Sequence, residues 1–258
     1  VLEPSYCAAV IPCFNESAAI AAVVPEVRRH LPRVIVVDDG STDNTSVLAQ
    51  GAKAVVLNHG RNLRKGAALN SGLSHALSQG CEWAVTLDGD GQHAPQDLPA
   101  LLRCARQTGA LLVVGDRMPE ARKMPWLRRQ VNRWMSRKLS ERAGRHLPDT
   151  QSGFRLIHLP SWAALPLTTQ HFEIESEMLM AFLAAGHPVA FVPIQVVRRR
   201  RQSHIRPVTD SLRWWKWWRG LNRSPKPAVN GDIAIRVNPR PGFNPGLVEA
   251  GSGYSRLE

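Results

Sequence analysis

The amino-terminal half of this chain alternates short, continuously apolar runs with helix-patterned stretches, and this limits its fold more than any other feature. Tyr6 to Ile11, Arg33 to Val37, Ala52 to Leu57, Trp83 to Leu87 and Leu111 to Val114 read as strands. Ser17 to His30, Asp43 to Gln50, Gly66 to Gln79 and Gln96 to Gln107 read as the helices between them, with Asn15 or Ser17 capping the first. Strands that are continuously apolar rather than alternating indicate a sheet covered on both faces. Right-handed crossovers then gather all the strand C-termini on one edge, where open α/β sheets bind their ligands. The expected fold is therefore α/β, a Rossmann-like, mostly parallel sheet flanked by helices.

Three of the strand ends are acidic. The first runs into Ile11-Pro12-Cys13-Phe14-Asn15-Glu16, the second into Asp38-Asp39-Gly40-Ser41, the fourth into Asp88-Gly89-Asp90-Gly91-Gln92-His93. Carboxylates gathered on one edge repel unless a cation or hydrogen-bond donors sit among them. Alone, Asp88-Gly89-Asp90 is an acidic turn, with Gly89 letting the backbone bend and a ligand come close. At a strand's C-terminal end it also suits a hard divalent cation, which takes few protein carboxylates and fills its shell with water and phosphate oxygens. Ser41 to Asp43 read as turn and helix cap. The carboxylates before them are placed to accept from a base or a ribose hydroxyl.

With 258 residues the chain is long enough for one large domain or two small ones, and no internal repeat is visible. A formal net charge of +12, largely from arginine, favours phosphorylated or otherwise anionic partners. Cys7, Cys13, Cys81 and Cys104 lack metal-ligand spacing and are expected as buried free thiols in a reducing compartment. His93, His158, His171 and His187 show no zinc spacing and are expected to be structural. No basic segment leading into an apolar core opens the sequence, and no run approaches the ~20 apolar residues of a membrane span.

The set Pro12-Cys13-Phe14-Asn15-Glu16, Val36 to Asp43, Asn62-x-x-Lys65-Gly66 and Asp88 to His93 resembles family-2 glycosyltransferases. More narrowly it resembles the dolichyl-phosphate mannose synthase group. Gly115-Asp116-Arg117 resembles that group's G-S-R, and Asp149 to Arg155 its D-x-x-S-G-F-R. Glu175-x-Glu177-Met178 resembles its Q-x-E-M. Arg201-Gln202-Ser203-His204-Ile205 resembles its R-x-S-K-L/I, with His204 in place of lysine. The resemblance spans residues 5 to 208 and implies a glycosyltransferase A-type fold and a nucleoside-diphosphate sugar donor. It implies that Pro12, Phe14, Glu16, Asp39, Lys65, Asp88 and Gly89 hold the donor. It implies Mg²⁺ or Mn²⁺ on Asp88, Asp90 and Gln92, easing departure of the diphosphate and inverting the anomeric centre.

A lipid phosphate acceptor is already ionised and needs a cationic socket more than a base. Arg117, Arg129, Arg201 and Ser203 are the candidates for it. Asp90, Arg117 and Glu177 form the expected catalytic set. Glu177 either orients an arginine or abuts the metal, and Asp149 and Arg155 either pair across the turn at Gly153 or act as direct ligands. A sugar-hydroxyl acceptor would need a base, for which Glu177 or Asp149 are candidates.

Residues 1–207 read as the catalytic domain, with a nucleotide-sugar half to 116 and an acceptor half from 117. Residues 208–221 read as a Trp-rich amphipathic membrane-surface helix, because Trp214, Trp215, Trp217 and Trp218 cannot all face one core. Residues 222–258, rich in Pro and Gly, read as a flexible tail. The chain is thus expected at the cytoplasmic face of an anionic membrane, acting on a polyprenyl phosphate. Its charge and Trp-Arg interleaving also suit nucleic acid, but no recognised motif accompanies them, and no nucleic-acid partner is expected.

Overall fold

The computed structural model describes residues 3–169, 171–198 and 207–221. Seven strands form a single sheet: β1 (Cys7–Cys13), β2 (Arg33–Asp38), β3 (Val55–Asn58), β4 (Trp83–Thr86), β5 (Leu112–Asp116), β6 (Arg155–His158) and β7 (Val189–Pro193). Their order is β3-β2-β1-β4-β6-β5-β7. All neighbours are parallel except β6, which runs antiparallel to both β4 and β5.

Helices α1 (Ser17–Arg28), α2 (Thr45–Gly51), α3 (Lys65–Ser78) and α4 (Leu98–Thr108) connect the parallel strands. Then follow α5 (Trp126–Ala143), α6 (Leu159–Ala163), α7 (Ile174–Ala184) and α8 (Pro207–Leu221). Side-chain alternation along β1 shows why its run is apolar throughout. Cys7, Ala9, Ile11 and Cys13 join the core under α1 and α4, while Ala8 and Val10 join the core under α3, α5 and α7. Pro12, which cannot donate to a ladder, lies beyond Val10, the last β1 residue in register with β4.

Two expectations change. Asp43 on the neighbouring loop, rather than Asn15 or Ser17, caps α1 by accepting from Ser17 N at 3.2 Å, and it also accepts from Thr45 N at the start of α2. The tryptophan-rich helix packs more than its sequence suggests. Trp214 is 2% exposed, donates its indole N–H to Ser176 Oγ at 2.9 Å and contacts Trp134, Trp217 and Trp218. Trp217 and Trp218 are half-buried against the same core, and Arg142 Nη2 donates to Leu221 O at the helix end. Trp215 remains outside, under the Arg219 guanidinium. The 222–258 tail lies outside the described residues.

Candidate active site

The C-terminal ends of β1, β2, β4 and β5 share one edge of the sheet, as parallel pairing requires. Because β6 is antiparallel, its beginning reaches that same edge, and Arg155 pairs with Thr86. The Asp149–Gly153 loop is thereby laid against Asp88. A Cβ on Gly153 would stand 3.0 Å from Lys65 Nζ and 3.1 Å from Asp88 Oδ1. A Cβ on Gly89 would stand 2.5 Å from Cys13 Sγ. Gly89 therefore makes room for a core sulfur, not only for a ligand.

Asp88 is tied to a lysine. Its Oδ1 accepts from Lys65 Nζ at 2.6 Å, and Lys65 is shared at 2.7 Å with Glu175 Oε1. Burial alone would raise the Asp88 pKa, but the Lys65 charge holds it well below the usual carboxylate range. Burial works against the Lys65 charge too, and Asp88 and then Glu175 reverse it, keeping Lys65 firmly protonated. Asp88 N donates to His93 Nδ1 at 3.1 Å, so the ring proton sits on Nε2. His93 stacks on Phe154 and is pushed down to about 4 by burial, so it serves as a neutral support, in keeping with its structural reading.

Asp90 differs from Asp88. It accepts from Gln92 N at 2.9 Å, and burial followed by the Asp88 charge raises its pKa. Two oxygen ligands with excess negative charge fit a divalent cation that completes its shell with phosphate and water. No group of three or more His, Cys, Asp or Glu side chains that could hold a metal occurs among the described residues, and a diphosphate-bound ion does not require one. Gln92 Oε1 accepts from Arg128 Nη1 at 3.0 Å in this structure.

On β5's side Arg117 is 7% exposed and grips Asp149 from two nitrogens, Nε at 2.7 Å and Nη2 at 2.9 Å. Burial opposes both charges. The pairing overrides it, raising the Arg117 pKa and lowering that of Asp149. Asn132 on α5 donates to the same carboxylate at 2.9 Å. Asp149 therefore pairs with Arg117 and not with Arg155. Arg155 donates instead to three main-chain carbonyls, those of Ser152, Glu175 and Thr150, and sits too deep to touch a ligand at 1% exposure.

Other expected residues fall differently. Glu177 accepts from the main-chain N–H and hydroxyl of both Thr168 and Thr169, so it fastens that loop and neither orients an arginine nor reaches the acidic tips. Glu175, two residues earlier, is the α7 carboxylate at the site. Arg128, not singled out from the sequence, is the α5 arginine that reaches Gln92, while Arg129 Nε is buried with no hydrogen-bond partner among the described residues. Asp39 accepts from His59 Nδ1, Leu63 N and Arg64 N, each at 2.8 Å, and so clamps the 59–64 loop beside the ends of β1 and β2. Pro12, Phe14 and Glu16 stand at the tip of β1, with Glu16 N donating to Thr45 Oγ1. Arg201 and Ser203 lie outside the described residues.

Glucosyl-3-phosphoglycerate synthase of Mycobacterium tuberculosis, solved with UDP, matches this fold with a TM-score of 0.69 at 20% identity, over 85% of this chain and 80% of that one. The same enzyme is also solved with Mn²⁺, UDP-glucose and phosphoglyceric acid, at a TM-score of 0.68. The fold is that of the A-type glycosyltransferases. A family model described as glycosyl transferase family 2 matches residues 8–160, and the chain belongs to that family. Polyprenol monophosphomannose synthase of Mycolicibacterium smegmatis is 31% identical over 204 residues, covering 74% of this chain and 77% of that protein. The UDP-N-acetylglucosamine–dolichyl-phosphate N-acetylglucosaminyltransferase of Methanococcus voltae is 29% identical over 211 residues, covering 73% and 84%. The chain is a glycosyltransferase, and these relatives carry names for sugar transfer to polyprenyl phosphates.

Proposed function

We propose that this glycosyltransferase moves a sugar from a nucleoside-diphosphate sugar to a polyprenyl phosphate at a membrane surface, with inversion and with Mg²⁺ or Mn²⁺. The observation that carries the reading is the adjacency of opposite charges. The Asp88–Asp90 tips adjoin a cationic wall of Arg117 and Arg128, with Arg128 bound to Gln92 at 3.0 Å. Asp88 and Asp90, with Gln92, would hold the metal, which offsets charge growing on the departing diphosphate. Pro12, Phe14, Glu16 and the loop clamped by Asp39 would hold the base and ribose.

Arg117 commits Nε and Nη2 to Asp149, which leaves Nη1 with no hydrogen bond among the described residues. With Arg128 and Arg129, and with Arg201 and Ser203, it would orient the acceptor phosphate. A sugar-hydroxyl acceptor finds less support. Glu177 is held by Thr168 and Thr169, and Asp149 by Arg117 and Asn132, so neither is available as the base.

Membrane contact has support at α5 and α8. Trp126 is 65% and Leu127 56% exposed, one turn from the site through Arg128, and Leu212 and Trp215 are exposed on α8. Exposed Arg122, Lys123, Arg133, Arg213, Lys216 and Arg219 accompany them, as suits anionic headgroups. No helix among the described residues is long and apolar enough to cross a membrane.

The test offers the protein a panel of sugar nucleotides with Mn²⁺ and a short polyprenyl phosphate, and follows product by mass spectrometry. A glycosylated lipid phosphate is expected, and Asp90→Asn should reduce it roughly 100-fold or more. Transfer to a sugar acceptor with none to the lipid phosphate would overturn the acceptor assignment.

A further inference from the structure

Lys65 is the first residue of α3, the end of a helix where a positive charge is disfavoured. Its ammonium is nonetheless drawn inward, 2.6 Å from Asp88 and 2.7 Å from Glu175, with the Phe172 ring 5.7 Å away and Gly153 closing the other side. The Lys65 side chain is 15% exposed and that of Glu175 6%. Three separate elements, α3, the β4 tip and α7, are thus tied through one nitrogen. Surface ion pairing does not require so enclosed an arrangement, and a buried cation with two carboxylates has a choice of partner.

We propose that Glu175 is a positioning residue that retains the Lys65 ammonium when Asp88 turns to a divalent cation. The inference rests on the reading of Asp88 as a metal ligand. A divalent ion on Asp88 and an ammonium on the same carboxylate repel strongly at such distances in a site of low dielectric. Asp88 can be released at little cost only if Lys65 keeps an anionic partner. Glu175 already lies within hydrogen-bond distance, 2.7 Å from Lys65 Nζ, and needs no backbone movement to serve.

Glu175→Gln leaves Lys65 with Asp88 as its only anionic partner among the described residues, and so sets the ammonium in competition with the metal. Groups in direct contact couple measurably, and Mn²⁺ affinity should fall about tenfold. Lys65→Met removes the competitor, so it should bind Mn²⁺ at least as tightly as wild type. In the Lys65→Met background the Glu175→Gln loss should largely vanish. A simple through-space effect of the Glu175 charge would instead persist in both backgrounds.

The experiment titrates Mn²⁺, alone and with UDP, into the wild type, the two single variants and the double variant. Free Mn²⁺ is read by electron paramagnetic resonance, and thermal melting verifies that each variant is folded. A loss in Glu175→Gln that disappears with Lys65→Met supports the proposal. An equal loss in both backgrounds, or none in either, overturns it while leaving the metal site intact. A wild-type protein that takes up no Mn²⁺ under either condition overturns the metal reading and this inference together.

Discussion

Asp116 closes β5 where the group that this chain resembles has serine, and the exchange has a consequence for stability. Burial, followed by the neighbouring Asp149 charge, pushes the carboxyl up to about 7, although Met118 N donates to it and Arg117 lies next in sequence. An unfolded carboxyl titrates near 3.8. Between these values the folded state keeps a proton that the unfolded state has lost, so stability falls as pH rises from about 4 to about 7 and is level above. Asp116→Asn should therefore melt at a higher temperature than wild type at pH 8. The gain is at most ~4 kcal/mol and should shrink to nothing towards pH 4. A gain equal at both pH values would mean that packing, not charge, is responsible. The same scale exposes where sequence reading falls short. The acidic tips and Arg117 were legible because strand ends fix their place. The sequence alone does not separate Glu175 from Glu177, or Arg128 from Arg129, because on a helix each residue step turns a side chain by about 100°. Only packing against the sheet sets that phase.

At the scale of elements, the continuous apolar runs made the parallel strands legible and placed most boundaries within a few residues. The reversed direction of β6 depends on partners far away in sequence. The roles of the tryptophans within α8 are set by packing in the same way. Four tryptophans around a helix need not share one role, and here Trp214 is core while Trp215 is surface. Ser176 Oγ accepts from both Trp214 Nε1 and Gln151 Nε2, which links α8 to the Asp149–Gly153 loop. Trp214→Ala should cost about 3–5 kcal/mol in chemical denaturation, as truncation of a buried aromatic does. Trp215→Ala should change stability by less than ~1 kcal/mol. Equal losses would mean that α8 does not dock through Trp214.

For the whole molecule, Trp126 and Leu127, among the most exposed apolar side chains of the described residues, lie where α5 enters the site, while Leu212 and Trp215 are exposed on α8. Each large apolar side chain buried in lipid contributes ~1.5–3 kcal/mol. Trp126→Ser with Leu127→Ser should therefore lower sedimentation with anionic vesicles by tenfold or more at moderate salt, whereas Trp214→Ala should act mainly on folding. Unchanged vesicle binding in the double variant would remove α5 as the contact.

The strand that reverses direction also sets an order of assembly. β6 lies between β4 and β5, so a growing chain that has made all five of the earlier strands still has a gap through its middle. Until Arg155–His158 emerge, two central backbones stand with unsatisfied amides, the kind of open rim on which partly made chains stick to one another. The sheet is thus completed only when β6 pairs with both β4 and β5, although the strands of its β3-β2-β1-β4 part are all made beforehand.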